Sequence, residues 1–174
     1  ILSADSMLNY PDFRAYEQAF TMMSQVSGRA GRKGKRGLVI LQTKSAELPV
    51  IGQVVRNDCE GFYKDLLEER RDFRYPPFFH LIYIYMKHRD DRVVNTAAIE
   101  MGSRLRYFFG ERVLGPDKPA VARVKQMNIR KIVLKLENGL DRKKTRECLR
   151  QVQKELLQDS RYGALQVYYD VDPL

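Results

Sequence analysis

The chain has 174 residues, 44% of them hydrophobic and 10% aromatic, enough for one ordinary domain or a small domain with an appendage, which excludes global disorder. Its 31 Lys and Arg against 22 Asp and Glu leave a formal charge of +9, which favours polyanionic partners through counterion release without naming the polyanion. No apolar run approaches membrane-spanning length and nothing resembles a signal peptide, so no membrane partner and a cytoplasmic location are expected. Cys59 and Cys148 lie far apart with no CxxC spacing, and are expected reduced and at least partly buried.

Residues 1–10 read as the end of a strand and a loop, and a chain starting at Ile1 inside a strand reads as a fragment of a longer protein. Pro11 and Asp12 predict a helix start, because proline suits the first turn and aspartate its N-terminal end. Phe13, Tyr16, Phe20, Met23 and Val26 recur at helical steps and form one face. The run Leu38-Val39-Ile40-Leu41 predicts a buried strand. One helix and one or two strands cannot enclose a core, so the face of the first helix is expected under-covered, either pairing with a second copy or folding back on the second domain.

Pro49 to about Arg56 and about Glu60 to Arg71 predict two short helices, and Pro76-Pro77 keeps Tyr75 out of a helix. Tyr75, Phe78 and Phe79 are read as packing residues. From residue 80 onward strands and helices alternate. Leu81–Met86 is β-rich, and Val94, Ala97 or Ala98, Met101, Leu105 and Phe108 form a helical stripe stopped near Gly110. Arg112-Val113-Leu114 follows as a short strand; Val121–Lys125 and Ile129–Leu136 suit a hairpin around Gln126–Asn128. Leu149, Val152 and Leu156 mark a second helix, and Leu165, Val167, Tyr169 and Val171 alternate as a closing strand. The order β-α-β-β-α-β predicts a split βαβ unit, two helices on one face of an antiparallel sheet. The class is therefore α/β, of the α+β kind. Three segments result: 1–45, 46–79 as a helical connector, and 80–174 as a C-terminal α/β domain.

The most informative string is Gln25-Val26-Ser27-Gly28-Arg29-Ala30-Gly31-Arg32, leading into Lys33-Gly34-Lys35-Arg36-Gly37. Arginine forks stay charged and match phosphate oxygens bidentately, and glycines allow close approach. A basic helix end favoured by the macrodipole is the plainer reading. The string resembles the last motif, QxxGRxGR, of superfamily-two helicases. With Ala4-Asp5-Ser6, Tyr10-Pro11-Asp12-Phe13-Arg14-Ala15, Glu17, Phe62-Tyr63, Glu69-Arg70-Arg71, Tyr75-Pro76-Pro77-Phe78 and Leu114-Gly115-Pro116, essentially the whole chain resembles the C-terminal part of the PriA family, the primosomal replication-restart helicases.

The resemblance implies that residues 1–45 are the tail of a RecA-like motor lobe 2. It implies that Arg29 and Arg32 face the triphosphate, with Gln25 orienting and Gly28 and Gly31 admitting the phosphate. It further implies an ATP-dependent 3′-to-5′ DNA helicase for primosome assembly and fork restart, using ATP and Mg. Its expected partners are branched and single-stranded DNA, single-stranded-DNA-binding protein and primosome proteins. Zinc in that family is held by cysteines upstream of the arginine motif, so no metal is expected here. No GxxxxGK[ST] loop occurs, so this chain alone is expected to be inactive as an ATPase.

Lys33, Lys35 and Arg36, with Lys44 beyond, either contact DNA phosphates or solvate a turn. Arg123, Lys125, Arg130, Lys131 and Lys135 cluster along the predicted hairpin, and outward-facing members would give a positive strip for a DNA backbone. Arg142-Lys143-Lys144 and Arg146 open the second helix against its dipole. His80 and His88 show no metal or catalytic spacing and are expected structural. The competing reading is a stand-alone basic nucleic-acid-binding module, RNA-directed or ribosome-associated, without any ATPase role.

Overall fold

A computed structural model describes residues 2–30 and 38–173. The chain divides into two compact units, Ile1–Asp72 and Phe73–Leu174.

In the first unit β1 (Leu2–Ser3) pairs in parallel with β2 (Leu41–Gln42), and among the described residues the helices are α1 (Asp5–Leu8), α2 (Ala15–Arg29), α3 (Pro49–Arg56) and α4 (Cys59–Asp72). Helix α2 starts at Ala15, later than Pro11 suggested. The Asp12 carboxylate accepts the Arg14 backbone N–H at 2.8 Å and its guanidinium at 3.1 Å, closing a turn that competes with helix. Proline occupies the first turn of α3, and Asn57 ends that helix in the left-handed region at φ 54°.

The expected under-covered helix face is covered at Phe20 and Met23, whereas Val26 at its far end stays exposed. Phe20 and Met23 of α2 are buried with Val50 and Ile51 of α3 and Phe62 and Leu66 of α4, and Phe20 stacks on Phe62 with centroids 4.0 Å apart. Burying such side chains stabilises by about 1.5–3 kcal/mol each. The residues read as a connector thus supply the other half of this core. The buried strand expected at Leu38–Leu41 is also corrected. Leu38, Val39 and Ile40 are exposed, and only Leu41 and Gln42 pair.

The second unit has the expected β-α-β-β-α-β order: β3 (Phe79–His88), α5 (Asp91–Phe109), β4 (Val113–Asp117), β6 (Met127–Glu137), α6 (Arg142–Leu157) and β7 (Gln166–Val171), with a short extra strand β5 (Arg123–Val124). All pairings in its sheet are antiparallel, in the order β4-β6-β3-β7, and β5 pairs with β6. The hairpin turn is Lys125-Gln126, both at positive φ, 46° and 64°, which matches the twist of the flanking strands. Asp90 and Asp141 cap α5 and α6, each accepting two backbone N–H groups.

Strand alternation sorts the sheet into two faces. Ile82, Ile84 and Met86 of β3 and Ile132, Leu134 and Leu136 of β6 form one core with Val94, Ala97, Ala98, Met101 and Leu105 of α5 and Leu149, Val152 and Leu156 of α6. Phe108, expected in that stripe, is exposed instead. Both helices therefore cover the same face, and the protein is an α+β fold. Cys148 is half-buried, whereas Cys59, at the start of α4, is exposed.

Candidate nucleotide and nucleic-acid interfaces

Helix α2 presents Gln25 and Arg29 four residues apart, hence on one side, in its exposed last turns. Gly28 lies between them with ordinary helical φ, and a Cβ there would meet no described atom within 4 Å. Within the described residues nothing requires glycine, although it costs about 0.8–1.0 kcal/mol against alanine inside a helix. Gly31, Arg32, Lys33, Lys35 and Arg36 lie outside the described residues.

The segments flanking this motif hold its unit together. The Asp5 carboxylate accepts the Thr43 hydroxyl at 2.6 Å and the Lys44 backbone N–H at 3.1 Å, tying the start of α1 to the residues after β2. Arg70 of α4 donates to Glu17 of α2 at 2.6 Å, and the guanidinium groups of Arg70 and Arg14 lie 5.3 and 5.2 Å from the Phe13 ring centroid. These ties fix the helix that carries Arg29.

In the second unit the basic strip divides. Arg130 has the parity of Ile132 and Leu134, so it points to the helix-covered side and is 4% exposed. Its Nη2 donates to both Asp91 oxygens at 2.9 and 3.0 Å, Nε to Asn95 at 3.1 Å and Nη1 to the Ile129 carbonyl at 3.1 Å. The expectation of Arg130 as an outward DNA contact is therefore corrected: the pleat sends neighbouring side chains to opposite faces. Lys135 faces the other way but is 8% exposed. Its Nζ donates to the Phe73 carbonyl at 2.6 Å and lies 3.7 Å from the Tyr75 ring centroid, and burial with Arg74 nearby pushes its pKa down. Arg123 and Lys125 are exposed, and Lys131 is half-exposed.

The face without helices carries tyrosines that sequence reading did not group. Tyr83 and Tyr85 alternate on β3 beside Lys87, and Tyr168 stands across from Tyr85 on β7. Tyr85 and Tyr168 stack at 5.0 Å with planes 13° apart, and Tyr83 meets Tyr85 edge-on at 6.2 Å. Lys131 and Lys87 place Nζ 4.5 Å from the Tyr83 and Tyr168 centroids. Such a contact on a part-exposed ring is worth about 0.5–1 kcal/mol. The signal was available as Tyr-x-Tyr-x-Lys on one strand and Tyr168 on another, but the pairing that joins them is tertiary.

On the helix side a cavity of about 430 Å³ lies against α6, lined by Ile82, Leu136, Leu149, Arg142, Arg146 and Arg150 among others. Arg142 donates to His80 Nε2 at 2.9 Å, so that nitrogen must accept and Nδ1–H donates to Asp172 at 2.9 Å. His88 Nδ1 accepts the Asp90 backbone N–H at 2.9 Å beside the α5 cap. Among the described residues no group of three or more His, Cys, Asp or Glu could hold a metal ion, and no helix is long and apolar enough to cross a membrane.

Residues 71–174 match the family model of the primosomal protein N C-terminal domain. The replication restart protein PriA of Treponema pallidum is 36% identical over 177 residues, covering 100% of this chain and 26% of that protein. Its counterpart in Bacillus subtilis is 36% identical over 127 residues, 72% of this chain and 16% of that protein. That of Chlamydia trachomatis is 43% identical over 82 residues, 47% of this chain and 11% of that protein. The chain thus spans about a quarter or less of the length of these relatives. It belongs to the PriA family of replication restart proteins.

Proposed function

We propose that this chain is the C-terminal part of an ATP-dependent 3′-to-5′ DNA helicase that assembles the primosome and restarts replication forks in the cytoplasm. Arg29 and Arg32, oriented by Gln25 and approached through Gly28 and Gly31, complete a nucleotide site whose phosphate loop and magnesium ligands lie outside this chain. The observation that carries the reading is the exposed side of α2, where Gln25 and Arg29 flank a glycine that no described neighbour requires. Such a surface fits a triphosphate: a planar cation donates to its oxygens, and the missing Cβ lets them come close. ATP and its magnesium supply the transferable phosphoryl group and its charge neutralisation; the arginines hold that charge in position.

The DNA is engaged by the second unit, through Arg123, Lys125 and Lys131, and by Lys33, Lys35 and Arg36. Partners by family likeness are single-stranded-DNA-binding protein and primosome components. The test is DNA-stimulated ATP turnover in the complete protein. Arg32→Ala is expected to lower turnover by about 10³–10⁵-fold with DNA affinity kept, as for other arginines that stabilise a transferring phosphoryl group. Lys125→Glu is expected to weaken DNA binding. Unchanged turnover in Arg32→Ala refutes the catalytic reading and leaves a basic nucleic-acid-binding module.

A further inference from the structure

We propose that the helix-free face of the second unit's sheet binds single-stranded DNA, stacking bases on the tyrosines of the row Lys131–Tyr85–Tyr168. The proposal rests on the DNA-binding reading above and names its site. Register puts the row together: Tyr85 pairs with Lys131 on one side and with Tyr168 on the other, so three adjacent strands present these side chains in line. Adjacent strands lie about 4.8 Å apart, a spacing that single-stranded bases can follow.

The rings suit stacking. Tyr85 and Tyr168 already form a two-ring stack at 5.0 Å, Tyr168 is 39% exposed, and Tyr83 abuts the pair edge-on. Burial, together with Tyr168 and Asp170, raises the Tyr85 pKa, so its ring stays neutral. The cations suit phosphates. Lys87 and Lys131 are held over rings by weak contacts. A stacked base contributes roughly 5- to 150-fold in affinity, more than an exposed lysine–ring contact, so a base displaces the ammonium and the lysine turns to the backbone. Arg123 and Lys125, exposed in the adjoining hairpin, extend the positive charge beyond the row. Asp170, across from Tyr83, and exposed Asp117, across from Lys131 on β4, are opposing carboxylates on this face, and they direct phosphates toward Lys87 and the hairpin cations.

A duplex does not fit this chemistry, because its bases are already stacked and paired; only unstacked bases reach the rings. Every base has a π-face, so little sequence preference is expected.

The test is anisotropy of a fluorescein-labelled ten-nucleotide oligothymidine titrated with the chain. Quenching of tyrosine emission is a second readout, clean because the chain has ten Tyr and no Trp. Tyr85→Ala and Tyr168→Ala are expected to lose roughly 5- to 150-fold in affinity. Tyr168→Phe, which keeps the ring, is expected to bind within about two-fold, and Lys131→Gln to reduce the salt slope by about 0.7. Circular dichroism checks that each variant folds, and Tyr168→Phe against Tyr168→Gln replaces the alanine pair if it does not. Oligothymidine binding unaltered in folded variants lacking either ring overturns the platform while the DNA-binding reading stands. Equal losses on a ten-base-pair duplex overturn it as well, and tyrosine-dependent binding that is tighter for oligouridine overturns the DNA assignment. No binding to any DNA defeats the DNA-binding reading and the platform together.

Discussion

The ion pair between Arg130 and Asp91 separates a structural arginine from a DNA contact, because its two halves are unequally buried. Side-chain exposure is 5% for Arg130 and 54% for Asp91, at a distance of 2.9 Å. Asp91→Ala leaves a guanidinium buried, with Asn95 and the Ile129 carbonyl as its remaining partners. Breaking a buried pair in this way costs about 3–5 kcal/mol, and water reaching the carboxylate places this case near the lower end, about 3 kcal/mol. Arg130→Met removes the buried charge itself and leaves Asp91 to solvent, with Asp90 still capping α5. That change should cost only about 0–1.5 kcal/mol. At a urea slope of about 2 kcal/mol/M, Asp91→Ala lowers the midpoint by about 1.5 M and Arg130→Met by less than about 0.8 M. Equilibrium urea unfolding followed by circular dichroism reads both, and oligonucleotide anisotropy should find Arg130→Met unchanged in DNA affinity. Equal midpoint losses, or a stable Arg130→Met that binds DNA poorly, would refute the reasoning.

Burial pushes the Tyr169 pKa up to about 12, so the folded state holds that proton more tightly than the unfolded state. Its contribution is complete below about pH 10, the unfolded value, and is lost as pH rises toward 12. Stability should therefore fall across that window, and Tyr169→Phe should flatten the fall when urea midpoints are measured from pH 9 to 12. In the first unit, Phe20→Ala removes the ring stacked on Phe62 and should cost about 3–5 kcal/mol, read as faster amide exchange across α2, α3 and α4. Exchange unchanged in those helices would show that the stack does not hold the unit.

Local pattern carried much of the second unit. A β-rich apolar run marked β3 and two-residue alternation marked β6, and three-to-four-residue spacing marked α5 and α6. Gly110 stands at the predicted stop, whereas the two-residue hairpin turn lies at Lys125-Gln126, with Met127 and Asn128 of the expected turn already paired in β6. The first unit was less legible. Leu38–Ile40 has the composition of a buried strand but lies exposed, since an apolar run does not say whether anything covers it. The Asp12 turn delayed α2 because its carboxylate satisfies the Arg14 N–H locally.

What the sequence by itself determined is the element order of the second unit and the family likeness, since both depend on residue identity and short spacing. Tertiary structure decided which side chains share a surface. It buried Arg130 against Asp91, tied Lys135 to the Phe73 carbonyl, and brought Tyr85 and Tyr168, far apart in the chain, to 5.0 Å. The reason is physical. Alternation along a strand fixes that neighbours diverge, but only strand pairing and the side on which helices pack determine which half meets the core and which half meets a partner.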